Sequence, residues 1–314
     1  MAAASALARA GIGPAGAEAE LLVAYVLGVP RGRLALADEL TPGQRAHLRE
    51  LVGRRTRHEP LQHLLGSAAF RHLELAVGPG VFVPRPETEL LAGWGIEAAR
   101  RASAGTPTVV DLCSGTGAIA LAVADEVPGA RVVAVERAAP ALAWLRRNAA
   151  DRAGAGDRPI EVVAGDVADP GLLDRLSGRV DVLLCNPPYV PDGTAVPPEV
   201  AGHDPAEAVF GGPDGLAVIR PVVERAAGLL RPGGLVGIEH DDTHGEAVPD
   251  LLRSDGRFAD IVDHRDLVGR PRFATARRVD TAGRAAAARR AGTVERSGGT
   301  AGNAGSPAWQ TGSS

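Results

Sequence analysis

"VVDLCSGTGAIALAVA", residues 109–124, is the stretch whose reading decides the fold. Two valines and a leucine around an acid make a short buried strand. Gly115 and Gly117 make a tight turn, and the Ala-rich run after them starts a helix. Gly115-Thr116-Gly117-Ala118-Ile119-Ala120 also satisfies the G-x-G-x-x-G/A spacing that lets a backbone approach a nucleotide at the first βα turn.

The same alternation continues on both sides of this stretch. A helix runs from Glu87 towards Arg101. After "PTVVDLC" and the helix from Gly117 come "ARVVAVE", a helix from Pro140, "IEVVAGD", a short helix, "VDVLLCN", a long loop, a helix from Leu216, and "GLVGIEH". Such alternation predicts an α/β fold: a doubly wound, mainly parallel, Rossmann-like sheet covered by helices on both faces. "FADIVDHRD" and "PRFATARR" are two closing strands with no helix between them.

The flanks read differently. Residues 1–66 form a small helical domain. In it Thr41 caps a helix, Pro42 occupies its first turn, and Leu48, Leu51 and Val52 lie inside. Residues 67–86, punctuated by Gly78, Pro79 and Gly80, are expected to form a hairpin linker to the sheet domain, residues 87–278. The remainder, 279–314, has only Val294 and Trp309 as bulky apolar residues after Asp280. It is expected to be a disordered tail, because it cannot bury enough surface to offset its ordering entropy.

Composition removes several functions. All 34 Lys+Arg residues are arginine, so Schiff-base chemistry and a Walker-type phosphate loop are excluded. A net charge of −4 offers no global basic field for nucleic acid, although Arg54, Arg55 and Arg57 form a candidate local patch. Two cysteines, Cys113 and Cys185, make neither a disulfide framework nor a zinc site by themselves. With no basic segment before an apolar core, and Leu21–Leu27 too short to cross a bilayer, a soluble cytoplasmic protein is expected.

The chemistry gathers at strand ends. Glu136 lies 21 positions after Gly115, where an acid bonds the two hydroxyls of a ribose. Asp111 caps the first strand. A carboxylate facing the loop would repel a dinucleotide's pyrophosphate and suit the ammonium and sulfonium of S-adenosylmethionine, which favours that cofactor over NAD. Asp166, ending the third strand, can accept from an adenine amino group with Val167 packed on the base; read alone it is a turn aspartate.

"CNPPYVP" ends the fourth strand, which in a doubly wound sheet lies beside the first and opens onto the same crevice. The Asn186 side-chain carbonyl and the Pro187 backbone carbonyl can each accept one N–H of a planar nitrogen, holding its lone pair towards a methyl donor. Pro187 and Pro188 stiffen the loop, and Tyr189 can stack on the flat target group. Cys113 and Cys185 end the same two strands, so oxidation there is expected to block the crevice; otherwise they are small core residues.

These residues resemble the class I S-adenosylmethionine-dependent methyltransferases, in which [DN]-P-P-[YF] marks transfer to a planar nitrogen. "VFVPRPETELL", "HDPAEAVFGGPDGLAVIRPVVERAAGLLRPGGLVGIEH" and "HRDLVGRPRFATARR" narrow the resemblance to the release factor glutamine methyltransferases, the HemK/PrmC family, over roughly residues 5–278. The resemblance implies N5-methylation of the glutamine in the Gly-Gly-Gln motif of class 1 peptide chain release factors. It implies the cofactor S-adenosylmethionine at Asp111, Leu112, Cys113, Ser114, Gly115, Glu136, Val167 and Asn186, to which Gly117 of the same turn and Asp166 at the third strand's end are added from their positions. The glutamine would be held by Asn186, Pro187, Pro188 and Tyr189. Arg85 and Glu87 would order neighbouring loops.

No metal is implied, the partner is the release factor protein rather than nucleic acid or membrane, and a monomer is the simplest state. Cys113 departs from the glycine frequent in the family, and His63 stands where Tyr is usual. A ribosomal-protein glutamine or a nucleic-acid amino nitrogen is the alternative acceptor, and a non-enzymatic cofactor-binding scaffold is the remaining class.

Overall fold

The computed structural model describes residues 2–102 and 105–280. All of the secondary structure among them belongs to one unit ending at Arg278. Of the expected tail, residues 281–314 lie outside the described residues.

The chain begins with four helices: α1 (Ala2–Arg9), α2 (Ala15–Leu27), α3 (Pro42–Arg55) and α4 (Leu61–Leu65). Helix α3 starts where its sequence says. The Thr41 hydroxyl accepts from the Gln44 amide at 3.3 Å, and the Gln44 side chain accepts from the Thr41 amide at 2.9 Å, satisfying two of the first-turn donors reciprocally. Leu51 and Val52 are buried with Leu7, Leu22, Leu61 and Leu64 in a core of this region's own.

Strands β1 (Ser67–Phe70) and β2 (Leu73–Ala76) form the expected hairpin, but not at the expected turn. The reversal falls at Arg71–His72, with Arg71 at φ +52°. Gly78 and Gly80 serve close approach instead: a Cβ on Gly78 would lie 2.6 Å from the Trp144 ring, and one on Gly80 2.9 Å from Pro140.

The sheet domain then follows. It comprises α5 (Thr88–Arg101), β3 (Thr108–Leu112), α6 (Ala118–Glu126), β4 (Arg131–Glu136), α7 (Ala139–Gly154), β5 (Glu161–Ala164), β6 (Val180–Cys185), α8 (Pro198–His203), α9 (Ala206–Val209), α10 (Ile219–Leu229), β7 (Leu230–Glu239), α11 (Ala247–Asp255), β8 (Phe258–Arg265) and β9 (Pro271–Arg278).

The seven strands lie in the order β5-β4-β3-β6-β7-β9-β8. The first five are parallel; β9 runs antiparallel to β7, and β8 to β9. The chain moves outward from β3 to β5 and then returns to place β6 beside β3, with Leu112 opposite Cys185. That switch opens a crevice beyond the carboxyl ends of both strands. Period-two burial sorts the two faces. Val109 and Leu184 pack under α5, α6 and α7, whereas Val110 and Leu183 pack under α10 and α11.

Helix α11 was not legible in the sequence. Gly245 and Pro249 interrupt its pattern, yet Pro249 falls in the first turn, where a missing N–H costs nothing, and Val248 and Leu252 are fully buried. The long loop after β6 also contains α8 and α9, and the helix expected from Leu216 begins at Ile219. Of the candidate basic patch, Arg54 pairs with Glu59, Arg55 is buried against Glu18 and Glu199, and Arg57 is exposed.

Candidate active site

A cavity of about 660 Å³ lies over the carboxyl ends of β3, β4, β5 and β6. On one side it is bordered by Cys113, Ser114, Gly115, Glu136, Asp166 and Val167. Asn186, Pro187, Pro188 and Tyr189 border the other. The expected site residues thus meet in one place, apart from Asp111, Leu112 and Gly117, which do not border the cavity.

Each of those three has a reason to be set back. Leu112 is a fully buried strand residue. At Gly117 the backbone takes φ +87°, and a Cβ would lie 2.6 Å from Leu145, so the glycine lets α6 pack close. Asp111, 1% exposed, lies under the loop and does not border the cavity. Its Oδ2 accepts from the Ser114 hydroxyl at 2.7 Å and from the Ala120 amide at 3.2 Å, pinning both ends of the turn. Its Oδ1 is buried without a partner among the described residues. Burial pushes its pKa up to about 7.

Glu136 holds the loop from the next strand. Its carboxylate accepts from the Gly115 amide at 2.9 Å and the Ala138 amide at 2.7 Å while still bordering the cavity. Ser114 donates its amide to Val135 O and Gly117 donates to Ser114 O. The amides of Ser114, Gly115 and Gly117 are therefore engaged within the protein. The cavity's charged lining is acidic as well: Glu87, Glu136, Asp166, Glu199 and Glu207 against Arg85 and Arg137. Such a lining suits a cationic cofactor over a dinucleotide.

Asp166 reaches the cavity but is already engaged. Its carboxylate accepts from Ala168 N at 2.9 Å and pairs with Arg137 at 3.2 Å. Sequence reading missed Arg137, which also approaches Glu207 at 3.6 Å and so ties β5's end to the loop after β6. Arg85 does order a loop, as expected. It pairs with Asp204 at 2.7 Å, lies 3.8 Å from Glu199 and covers the Phe82 ring. Glu199 also meets Arg55 at 2.8 Å, and Arg55 meets Glu18 at 2.6 Å, so this ion-pair chain joins the N-terminal helices to the cavity wall.

The Asn186 amide is oriented by a residue that sequence reading left unassigned. Its Nδ2 donates to Thr88 Oγ1 at 3.1 Å, which leaves Oδ1 without a partner among the described residues. The Tyr189 hydroxyl donates to Glu239 Oε1 at 3.2 Å. Burial and the neighbouring Glu239 raise the Tyr189 pKa, so its ring is a contact surface and not a base.

Glycines clasp the same loop from behind. A Cβ on Gly211 would lie 2.6 Å from Pro188 O, and one on Gly215 2.3 Å from Tyr189 O. This close backbone approach is what the "FGGPDGL" string provides.

Cys113 sits at φ +58°, a conformation natural to the glycine frequent in the family. Cys185 is fully buried in the neighbouring strand. Both thiols are free, and burial raises the Cys185 thiol well above its ordinary pKa, disfavouring the reactive thiolate.

Parallel sheet, switch-point crevice and asparagine–proline loop together define a Rossmann-like methyltransferase. Comparison with known proteins takes this further. The PrmC N-terminal domain family matches residues 1–66, and the methyltransferase small domain family matches residues 98–202. The release factor glutamine methyltransferase of Mycolicibacterium smegmatis is 50% identical over 278 residues, covering 88% of this chain and 96% of that protein. The one from Streptomyces coelicolor is 48% identical, covering 87% and 94%. A 4-amino-L-phenylalanine/4-methylamino-L-phenylalanine methyltransferase of Streptomyces pristinaespiralis is 39% identical, covering 77% and 81%. The chain belongs to the release factor glutamine methyltransferase family.

Proposed function

We propose that this protein transfers a methyl group from S-adenosylmethionine to the side-chain amide nitrogen of the glutamine in the Gly-Gly-Gln motif of class 1 peptide chain release factors, acting in the cytoplasm as a monomer. The observation that carries the proposal is the fixed Asn186 amide, with Oδ1 left free at a cavity that Glu136 and Val167 border on the other side. The residues present fit the cofactor: an acidic lining, a glycine loop whose Gly115 amide Glu136 already engages, and an unpartnered Asp111 Oδ1 just behind it.

In this reading Cys113, Ser114, Gly115, Glu136, Asp166, Val167 and Asn186 hold the cofactor, with Glu136 taking the ribose hydroxyls. Asp111, Leu112 and Gly117 shape that cradle from behind. When bound, the cofactor supplies an electrophilic methyl group. The protein's part is orientation. Asn186 Oδ1 and the Pro187 carbonyl each accept an N–H of the acceptor amide, which turns its lone pair towards the cofactor and favours the positive charge that develops on nitrogen. Pro187 and Pro188 keep the two acceptors rigid and add no competing donor. The Tyr189 ring packs on the planar amide.

Residues 1–66 act as the substrate-binding domain, 67–86 as the hairpin linker and 87–278 as the catalytic domain. The ion-pair chain Glu18–Arg55–Glu199–Arg85–Asp204 then couples docking to the cavity wall.

The test is transfer of labelled methyl from S-adenosylmethionine to a purified release factor, beside a copy with its Gly-Gly-Gln glutamine replaced by alanine. Label on the intact factor alone is the expected result. Label on ribosomal protein, DNA or a free aromatic amine such as 4-aminophenylalanine, with none on the factor, would overturn the substrate and keep the chemistry.

A further inference from the structure

We infer that Arg55 is a positioning residue for methyl transfer: from the N-terminal helices it holds the α8 segment, through Glu199, as a wall of the active-site cavity. The inference rests on the function proposed above and gives residues 1–66 a second role, inside the chain, besides holding the substrate.

The wall has little to hold it by itself. Val196, Pro197, Glu199 and Val200 border the cavity, yet no residue from 191 to 203 is buried. Helix α8 is six residues long, and its amides bond within the segment, Ala201 N to Pro197 O at 2.9 Å and Asp204 N to Val200 O at 3.2 Å. So short a helix is marginal in water on backbone bonds alone, and with no buried apolar face it needs another anchor.

Two arginines from elsewhere in the chain supply it. Arg55, in the last turn of α3 and 5% exposed, donates from Nη1 to Glu199 Oε2 at 2.8 Å, in the first turn of α8. Just past the other end, Arg85 Nη2 donates to Asp204 Oδ2 at 2.7 Å. Arg85 Nη1 also lies 3.8 Å from Glu199 Oε1, so the Glu199 carboxylate sits between the two cations.

The geometry at Arg55 goes beyond a local ion pair. Glu18 takes Nε at 2.6 Å and Nη2 at 3.1 Å, a two-pronged pair that already neutralises the guanidinium within the N-terminal helices. Nη1 is left over, and it reaches Glu59 O at 2.9 Å and Glu199, 144 positions away. With two donors locked on Glu18, the planar fork fixes the direction of the third. Such a buried, preoriented donor gives up little freedom on pairing, unlike the long side chains of an exposed pair.

The experiment uses the full-length protein with Glu199→Ala, Glu199→Gln and the double variant Glu18→Leu/Arg55→Met. Glu199→Ala leaves the Glu18–Arg55 pair in place. The double variant removes the donor to Glu199 without stranding a buried carboxylate, and Arg55 does not itself border the cavity. In both, hydrogen exchange over residues 192–205 should be faster by at least about five-fold, with residues 15–55 unchanged. Both should lose at least about ten-fold in kcat/KM on the release factor, and Glu199→Gln, which keeps an oxygen for Nη1, should lose less than alanine.

A short Gly-Gly-Gln peptide separates a wall from a docking contact. A wall predicts loss on the peptide and on the whole factor alike, in both variants. Loss on the whole factor alone would overturn the inference and make the pair a docking contact. Loss in Glu199→Ala but not in the double variant would also overturn it, since Glu199 would then act without Arg55. Unchanged exchange over 192–205 would sink it whatever the acceptor. Hydrogen exchange needs no acceptor, so failure of wild type to label either peptide or factor would count against the proposed substrate, not against the wall.

Discussion

The glycine loop after β3 and the asparagine–proline loop after β6 face each other across one cavity, and each rests on a buried carboxylate, but the two are built on different plans. Asp111 holds main chain and a turn hydroxyl: Ser114 Oγ and the Ala120 amide. On the other side, side chains are held: Glu239 accepts from the Tyr189 hydroxyl, and Thr88 accepts from the Asn186 amide. A cradle for a cofactor needs a fixed backbone path, whereas a clamp for a reacting nitrogen needs a fixed direction for one carbonyl oxygen. The difference teaches that rigidity is allocated by task. On the cofactor side small side chains let the backbone come close; on the acceptor side prolines, glycine clasps and the Thr88 hydroxyl set one amide.

The comparison can be broken most sharply at the acceptor. Asn186→Ala should lower turnover by about 10²–10³-fold, the loss typical of removing one preorganised polar group, while S-adenosylmethionine binding falls far less; single-turnover labelling and calorimetry separate the two. Equal losses in both would mean that Asn186 belongs to the cradle.

A shared property of the two carboxylates gives the next test. Burial raises both pKa values to about 7, above the unfolded values near 4, so the folded state holds these protons more tightly. Each group's contribution to stability is complete below the unfolded pKa and is lost as pH rises towards and through 7. Urea unfolding from pH 5 to 8 should show Asp111→Asn and Glu239→Gln each removing part of a decline that approaches about 1.4 kcal/mol per pH unit per group. If only one variant flattens the profile, the two supports are not equivalent.

Within the cradle, the glycines should separate by packing. Gly117→Ala meets Leu145 at a positive φ and should cost about 1–3 kcal/mol by denaturant midpoint. Gly115, at φ +56° with open space around its Cα, should cost about 1 kcal/mol. Smallest of all, Cys113→Gly relieves a positive φ of +58° but frees the unfolded chain, for a net gain below about 1 kcal/mol. Loss of stability there would show that the thiol's packing outweighs the strain.

Legibility followed the range of the interaction. Strands of β-branched residues, the glycine turn and the Thr41 cap are written in contiguous residues, and the structure has them where the sequence places them. Arg137 was missed because it pairs with Asp166, 29 positions on. Thr88 lay unread inside "PETE". Glu239 did carry a signal: like Asp111 and Glu136, it is an acid closing a buried strand, and all three serve the cavity.

Asp111 is seen holding the turn that follows its strand. Its position at the strand end was read correctly, but a sequence does not tell whether a side chain faces a cavity or the turn beside it.

By itself, the sequence determined the alternating α/β architecture, the strand ends that carry chemistry and, through the asparagine–proline loop, the kind of nitrogen the site suits. Only the tertiary structure decided which of those ends meet and how they are held. Asn186 and Thr88 are 98 positions apart, Arg55 and Glu199 are 144 apart, and no periodicity records such pairs. They meet because the chain returns to set β6 beside β3 and β7 beside β6, and a hydrogen bond depends on that distance in space, not on the separation along the chain.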